Sequence, residues 1–167
     1  MDPKPGMTAS DPGRRFLRHC LATLAYRGAK ALRGAPEGFS DFPLPGAARS
    51  PGEILAHMVD LLDWALSMAR GKEEWSNAKP GPWDQDIARF FRAALAFDAY
   101  LASDAPLHAP AERLFQGPVA DALTHVGQIA TRRRLAGAPV RGENYFRADI
   151  VAGRVGPDQS APRREFD

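Results

Sequence analysis

Proline and glycine divide this chain into four stretches of helical periodicity, and nothing between them alternates in the manner of a strand. The first stretch runs from about Pro12 to Leu32, where Leu17, Cys20, Leu21, Leu24 and Ala31 recur at helical spacing before Gly34 and Pro36 stop it. The second opens with a start signal: Ser50 as N-cap, Pro51 at the first helical position, and Glu53 three residues after the serine. It runs to about Arg70 and stops at Gly71. The third spans about Pro82 to Ser103, with Ile87, Phe90, Phe91, Ala94, Leu95, Phe97 and Leu101 as its apolar face. The fourth spans about Pro118 to Ala136, ahead of Gly137 and Pro139. Four helices of roughly 20 residues predict an all-α fold, a four-helix bundle. Residues 1–12 read as a flexible N-terminal arm. Residues 13–167 read as one domain, in which the Gly-, Arg-, Pro- and Asp-rich stretch 140–167 forms an irregular C-terminal tail. The segment between the first two helices reads as a long, partly packed connection.

At 167 residues the chain is about one domain in length. Its 22 basic and 20 acidic residues are too balanced for a whole-domain nucleic-acid footprint. One cysteine, Cys20, excludes an intramolecular disulfide and a cysteine-rich zinc module; on the apolar face of the first helix it reads as structural. No apolar run approaches the roughly 18 residues of a membrane span, and the first residues lack the apolar stretch of a secretory signal. The expectation is a cytoplasmic protein without a membrane or nucleic-acid partner.

The four histidines are the scarce chemical resource. On a helical wheel of the second helix, Ile54, Leu61, Trp64 and Met68 all fall within about 60° of His57, while Asp60, Asp63 and Arg70 fall on the far side. His57 therefore lies within the apolar arc, where it is either hydrogen-bonded in the core or a ligand. Asp121 and His125 stand four apart on the fourth helix and share one face, a stripe that continues through Gln128 and Arg132. Alone, they read equally as an intrahelical contact at a helix edge. Taken together, His57, Asp121 and His125 supply two imidazoles and a carboxylate, a facial set with positions left for water or substrate. His19, at the edge of the first helix, and His108, between two prolines, read as solvent-facing.

The stretches RSPGEILAHMVDLLDWAL and DALTHVGQIATRRRLAG resemble the DinB-like superfamily, bacterial four-helix bundles many of which are treated as metal-dependent enzymes. The resemblance covers about Gly13 to Ala136, and the tail GENYFRADIVAGRVGPDQ resembles one branch of the superfamily. The family places one histidine on helix two and an H-x-x-x-H pair ahead of G-Q on a later helix. His57 matches the first, His125 matches the second of the pair, and Asp121 stands where the first of the pair would be. The resemblance implies an up-down-down-up bundle and a homodimer. It also implies a divalent metal held by His57, Asp121 and His125. An aspartate moves the preference from zinc towards nickel, iron or manganese. The implied activity is that of a metal-dependent hydrolase, or of a transferase that uses a low-molecular-weight thiol, acting on a small-molecule substrate. The alternative is a non-catalytic binding or stress-response bundle with a degenerate metal site.

Further residues carry weaker expectations. Trp64 lies on the His57 side of its helix and is a candidate wall of a pocket, and Gln128 and Glu143 are candidates for orienting a substrate. Gly142, Glu143, Asn144 and Tyr145 are candidates for covering the mouth of the site. Arg132, Arg133 and Arg134 complement the dipole at the end of the fourth helix; a phosphate or carboxylate site is the sharper alternative. Arg133 is expected to reach the tail or a partner subunit. Phe90, Phe91, Phe97 and Tyr100 spread over about half the circumference of the third helix, more than one bundle interior usually takes, and so predict cover by the tail or a second subunit.

Overall fold

The computed structural model describes residues 11–46 and 49–166. All but two residues of the expected N-terminal arm lie outside that range. Asp11 caps the first helix by accepting from the Arg14 backbone N–H, and Pro12 occupies its first turn. Helix α1 spans Pro12–Leu32, α2 Pro51–Ala69 and α3 Trp83–Ala102. At the start of α2 the capping box is complete: the Ser50 hydroxyl accepts from the Glu53 N–H, and the Glu53 carboxylate accepts from the Ser50 N–H. Gly71, at φ 80°, ends it in a left-handed conformation that a side chain would strain.

The last helix, α4, differs from expectation. It begins at Ala111, seven residues before Pro118, as Ala111–Leu114, then passes through a π turn at Phe115–Val119 into Ala120–Leu135. Pro118 lacks the N–H that an α-helical turn requires and would crowd the preceding carbonyls. The wider π turn accommodates it, and the helix continues.

The extensive pairings are α1 with α3 and α4, and α2 with α3 and α4. Helices α1 and α3 are antiparallel: Arg18 pairs with Asp98, and Gly28 lies so close to Phe90 that a Cβ there would be 3.1 Å from the ring. Helices α1 and α4 are parallel, with Leu17 near Ala111 at one end and Arg133 reaching the Ala31 and Arg33 carbonyls at the other. Helices α2 and α3 are also parallel, since Arg70, just after α2, stacks over Tyr100 near the end of α3. Helices α2 and α4 are antiparallel, with Trp64 beside Gly117 and Ile54 beside Thr131.

Parallel neighbours require the chain to travel back along the bundle, and residues 70–82 do so as an extended strap. Its Ser76 hydroxyl and Ala78 N–H each donate to the Asp60 carboxylate at 2.9 Å. Asp60, expected on the far, polar side of α2, is therefore buried beneath the strap. The core between the helices is built from Leu21, Leu24, Leu55, Met58, Leu62, Phe90, Phe97, Leu114 and Ile129, all buried.

The spread of aromatics on α3 needs no second subunit. Phe90, Phe91 and Phe97 are buried within the chain and Tyr100 is half-buried. That motive for a dimer is withdrawn. The tail is also more ordered than expected. A two-stranded antiparallel ladder pairs β1, Gly142–Glu143, with β2, Glu165–Phe166, and Val155 is buried in the core. Arg133, expected at the tail or a partner, donates instead to the carbonyls of Ala31, Arg33 and Ala138, tying α1 to the end of α4. No described helix is long and apolar enough to cross a membrane.

Candidate metal centre

The antiparallel packing of α2 on α4 brings His57 opposite Asp121 and His125. His57 Nε2 lies 3.6 Å from Asp121 Oδ2, and His125 Nε2 lies 3.5 Å from Asp121 Oδ1. One ligand atom from each residue falls within 4.8 Å of the other two, the one such group of three among the described residues. These separations exceed an ordinary hydrogen bond. The imidazoles face different oxygens of the carboxylate, each at a separation close to the edge of a coordination tetrahedron, where ligands about 2.1 Å from a cation stand about 3.4 Å apart. The donor set suits a divalent cation in composition, and its ligand atoms lie close enough together to hold one.

The surroundings prepare the imidazoles as ligands. His125 is buried, and its Nδ1 lies 2.9 Å from the Gln128 amide oxygen. An amide oxygen only accepts, so Nδ1 carries the proton and the Nε2 lone pair faces Asp121. Burial holds His57 below the usual histidine range, aided by the positive charge of Arg49 and by His125 and opposed by Asp121. A neutral imidazole is the form that binds a metal. The Asp121 side chain remains 48% exposed, so the group is open to solvent on that side.

Aromatic rings wall the site from the strap side. Trp75 packs edge-on against His57 and against Trp64, both at 5.6 Å between centroids. Trp64 therefore stands where expected, one ring from His57, and with Asp121 it lines a cleft of about 440 Å³. Trp75 carried no helical periodicity and could be placed only once the strap was known to cross α2. Trp83 is elsewhere, against Phe39. On the other flank a cavity of about 780 Å³ is lined by Arg49, Ile54, Thr124, His125, Gln128 and Arg132, among others. Gln128 thus stands at the site, bound to a candidate ligand and facing the cavity.

Glu143 does not stand there. It is buried against α1, where its carboxylate accepts from the Tyr26 hydroxyl and from Lys30 Nζ, both at 2.8 Å. Tyr145 packs edge-on against Tyr26, and Arg27 stacks on its other side. The tail residues expected over the site mouth are docked on α1 instead. His19 and His108 are both exposed, as expected, and Cys20 is buried, its thiol pushed up by burial.

No protein-family model, no curated protein and no solved structure matches this chain. The centre is therefore argued from its own geometry.

Proposed function

We propose that the chain is a metal-dependent enzyme acting on a small molecule, with a divalent cation held by His57 Nε2, His125 Nε2 and the Asp121 carboxylate. The observation that carries this reading is the convergence of three ligand atoms within 4.8 Å beside a cavity of substrate size. Such a cation, when bound, acidifies a coordinated water or thiol and polarises an acceptor group. The chain's own residues do the rest. Gln128 fixes the His125 tautomer, Trp64 and Trp75 shield one side of the group, and the cavity beside His125 admits substrate.

Three protein ligands leave coordination positions for substrate, which suits hydrolysis of an ester or attack by a low-molecular-weight thiol on an electrophile. Membership of the DinB-like superfamily belongs to the same proposal. Its support is the two quoted motifs and the helix directions: α1 and α4 run one way, α2 and α3 the other, the up-down-down-up sense the resemblance implies. The homodimer now rests on the resemblance alone, and sedimentation equilibrium tests it.

The deciding experiment strips the protein with chelator, reloads it with nickel, zinc, iron or manganese, and measures stoichiometry and turnover against esters and thiol–electrophile pairs. One cation per chain with turnover lost in His125→Ala supports the reading. Equal metal uptake by wild type and His57→Ala refutes the site. Metal uptake without turnover on any substrate leaves a binding bundle and refutes the enzyme.

A further inference from the structure

The cavity beside His125 carries two guanidinium groups that the metal centre does not use. Arg132 sits two turns after His125 on α4, and Arg49 lies immediately before the Ser50 cap of α2. Both line the cavity. Arg132 is only 6% exposed, yet its Nη1 is buried with no hydrogen-bond partner. An unpaired buried donor on a charged group is costly, and a folded chain rarely leaves one without a reason. Arg133, one residue on, shows the satisfied alternative, with three backbone carbonyls as partners.

Charge near Arg132 is poorly balanced as well. The acidic group whose charge acts on it is Glu53, and that carboxylate is engaged in the capping box. Arg49 is exposed and close enough for its charge to act on His57. The wall therefore presents two forked cations, one buried and one exposed, with Thr124, Gln128 and Thr131 as neutral polar neighbours. A planar guanidinium pair matches an oxyanion, which accepts two parallel N–H bonds from each.

We propose that this cavity binds the oxyanion of a small substrate, a carboxylate or a phosphate, on Arg132 and Arg49, so that the substrate's reactive end lies at the metal centre. This rests on the metal-centre reading for what happens at the other end of the substrate, but not for the anion pocket itself. The volume, about 780 Å³, suits a molecule of metabolite size rather than a polymer. The basic run closing α4 then has a divided labour: Arg133 is structural, and Arg132 recognises substrate.

The test is titration calorimetry with succinate, inorganic phosphate and the neutral isostere succinamide, on chelator-stripped and on metal-loaded full-length protein. The stripped protein should bind succinate or phosphate at least tenfold more tightly than succinamide. Whichever anion binds identifies the group as carboxylate or phosphate. Arg132→Gln and Arg49→Ala should each weaken that binding at least tenfold and leave metal stoichiometry unchanged. Arg49 is exposed, so Arg49→Ala decides the matter should Arg132→Gln fail to fold. Binding of succinate and succinamide with equal affinity, anion affinity unchanged in the variants, or no binding of any probe to the stripped protein would each overturn the proposal. Failure of the metal centre would show separately, as anion binding that survives in a protein that takes up no metal.

Discussion

Two of the clusters of acidic and basic side chains on this bundle are finished differently. On α1, Glu143 accepts from Tyr26 and Lys30 at 2.8 Å, and Lys30 also donates to Glu165 at 2.7 Å. Both Glu143 oxygens are engaged, and the ladder between β1 and β2 holds the two glutamates side by side. Between α2 and α4, the His57 and His125 Nε2 atoms stand 3.6 and 3.5 Å from the Asp121 carboxylate, and Arg132 nearby keeps an orphaned donor. In the first cluster each carboxylate is paired with a cation. The second is under-bonded and opens on two clefts. Charge density alone would not separate them; hydrogen-bond completeness does.

The comparison makes its largest claim about metal. A ligand present at 1,000 times its dissociation constant stabilises by about 4 kcal/mol, or roughly 8–16 °C in a chain of this size. Adding nickel or zinc to stripped protein should raise the melting temperature by that order. The gain should vanish in His57→Ala, Asp121→Ala and His125→Ala, and persist in Glu143→Gln. A melting temperature that responds to metal equally in all five proteins would erase the distinction between the clusters.

Glu143→Gln should instead show in stability. It leaves Lys30 with one anion and removes the charge that Tyr26 donates to, at a cost of about 2–3 kcal/mol. Urea unfolding would report it, with metal stoichiometry intact. Asp60→Ala should cost about 1–2 kcal/mol, because Ser76 and the Ala78 N–H lose their acceptor. Its sharper signature is a rise in the solvent accessibility of Trp75, read by fluorescence quenching, as the strap loosens from the site it walls.

The smallest effect is in pH. The hydrogen bond from Lys30 holds Glu165 below its ordinary 4.5, so its contribution is present above that value and lost as pH falls through the lowered one. Burial opposes the Lys30 ammonium, but its bonds to Glu143 and Glu165 prevail and raise it. Its contribution is therefore present below 10.5 and lost as pH climbs through the raised value. Between those limits wild type should be the more stable against Glu165→Gln. The two should converge as pH falls through the lowered value, and an undiminished gap below it would show that the tail is held by something other than its charges.

Much of this was legible in the chain. The capping box at Ser50 and the positions of His57, Asp121 and His125 on their wheels follow from local periodicity, which a helix obeys whatever it packs against. What periodicity does not carry is direction and crossing. Asp60 reads as a surface residue until the strap covers it, and Trp75 belongs to no helix face. Glu143 reads as a free polar residue because its partners lie over a hundred positions away. The early start of α4 was hidden by Pro118, an ordinary stop signal overridden by a change in helix pitch.

That change of pitch has a consequence for how such a centre can be altered. The π turn gives α4 a surplus residue just upstream of Asp121. Removing one position, for instance Gly117, would let the ladder revert to regular pitch, and because four residues at α pitch turn through about 400°, nearly as far as five at the wider pitch, everything beyond would keep its bearing relative to Ala111–Leu114. A deletion one turn further on, in the regular helix between Asp121 and His125, would instead turn His125 by about 100° and take it out of reach of His57. The length of α4 is therefore free to change by one residue just ahead of the centre, and fixed between its ligands.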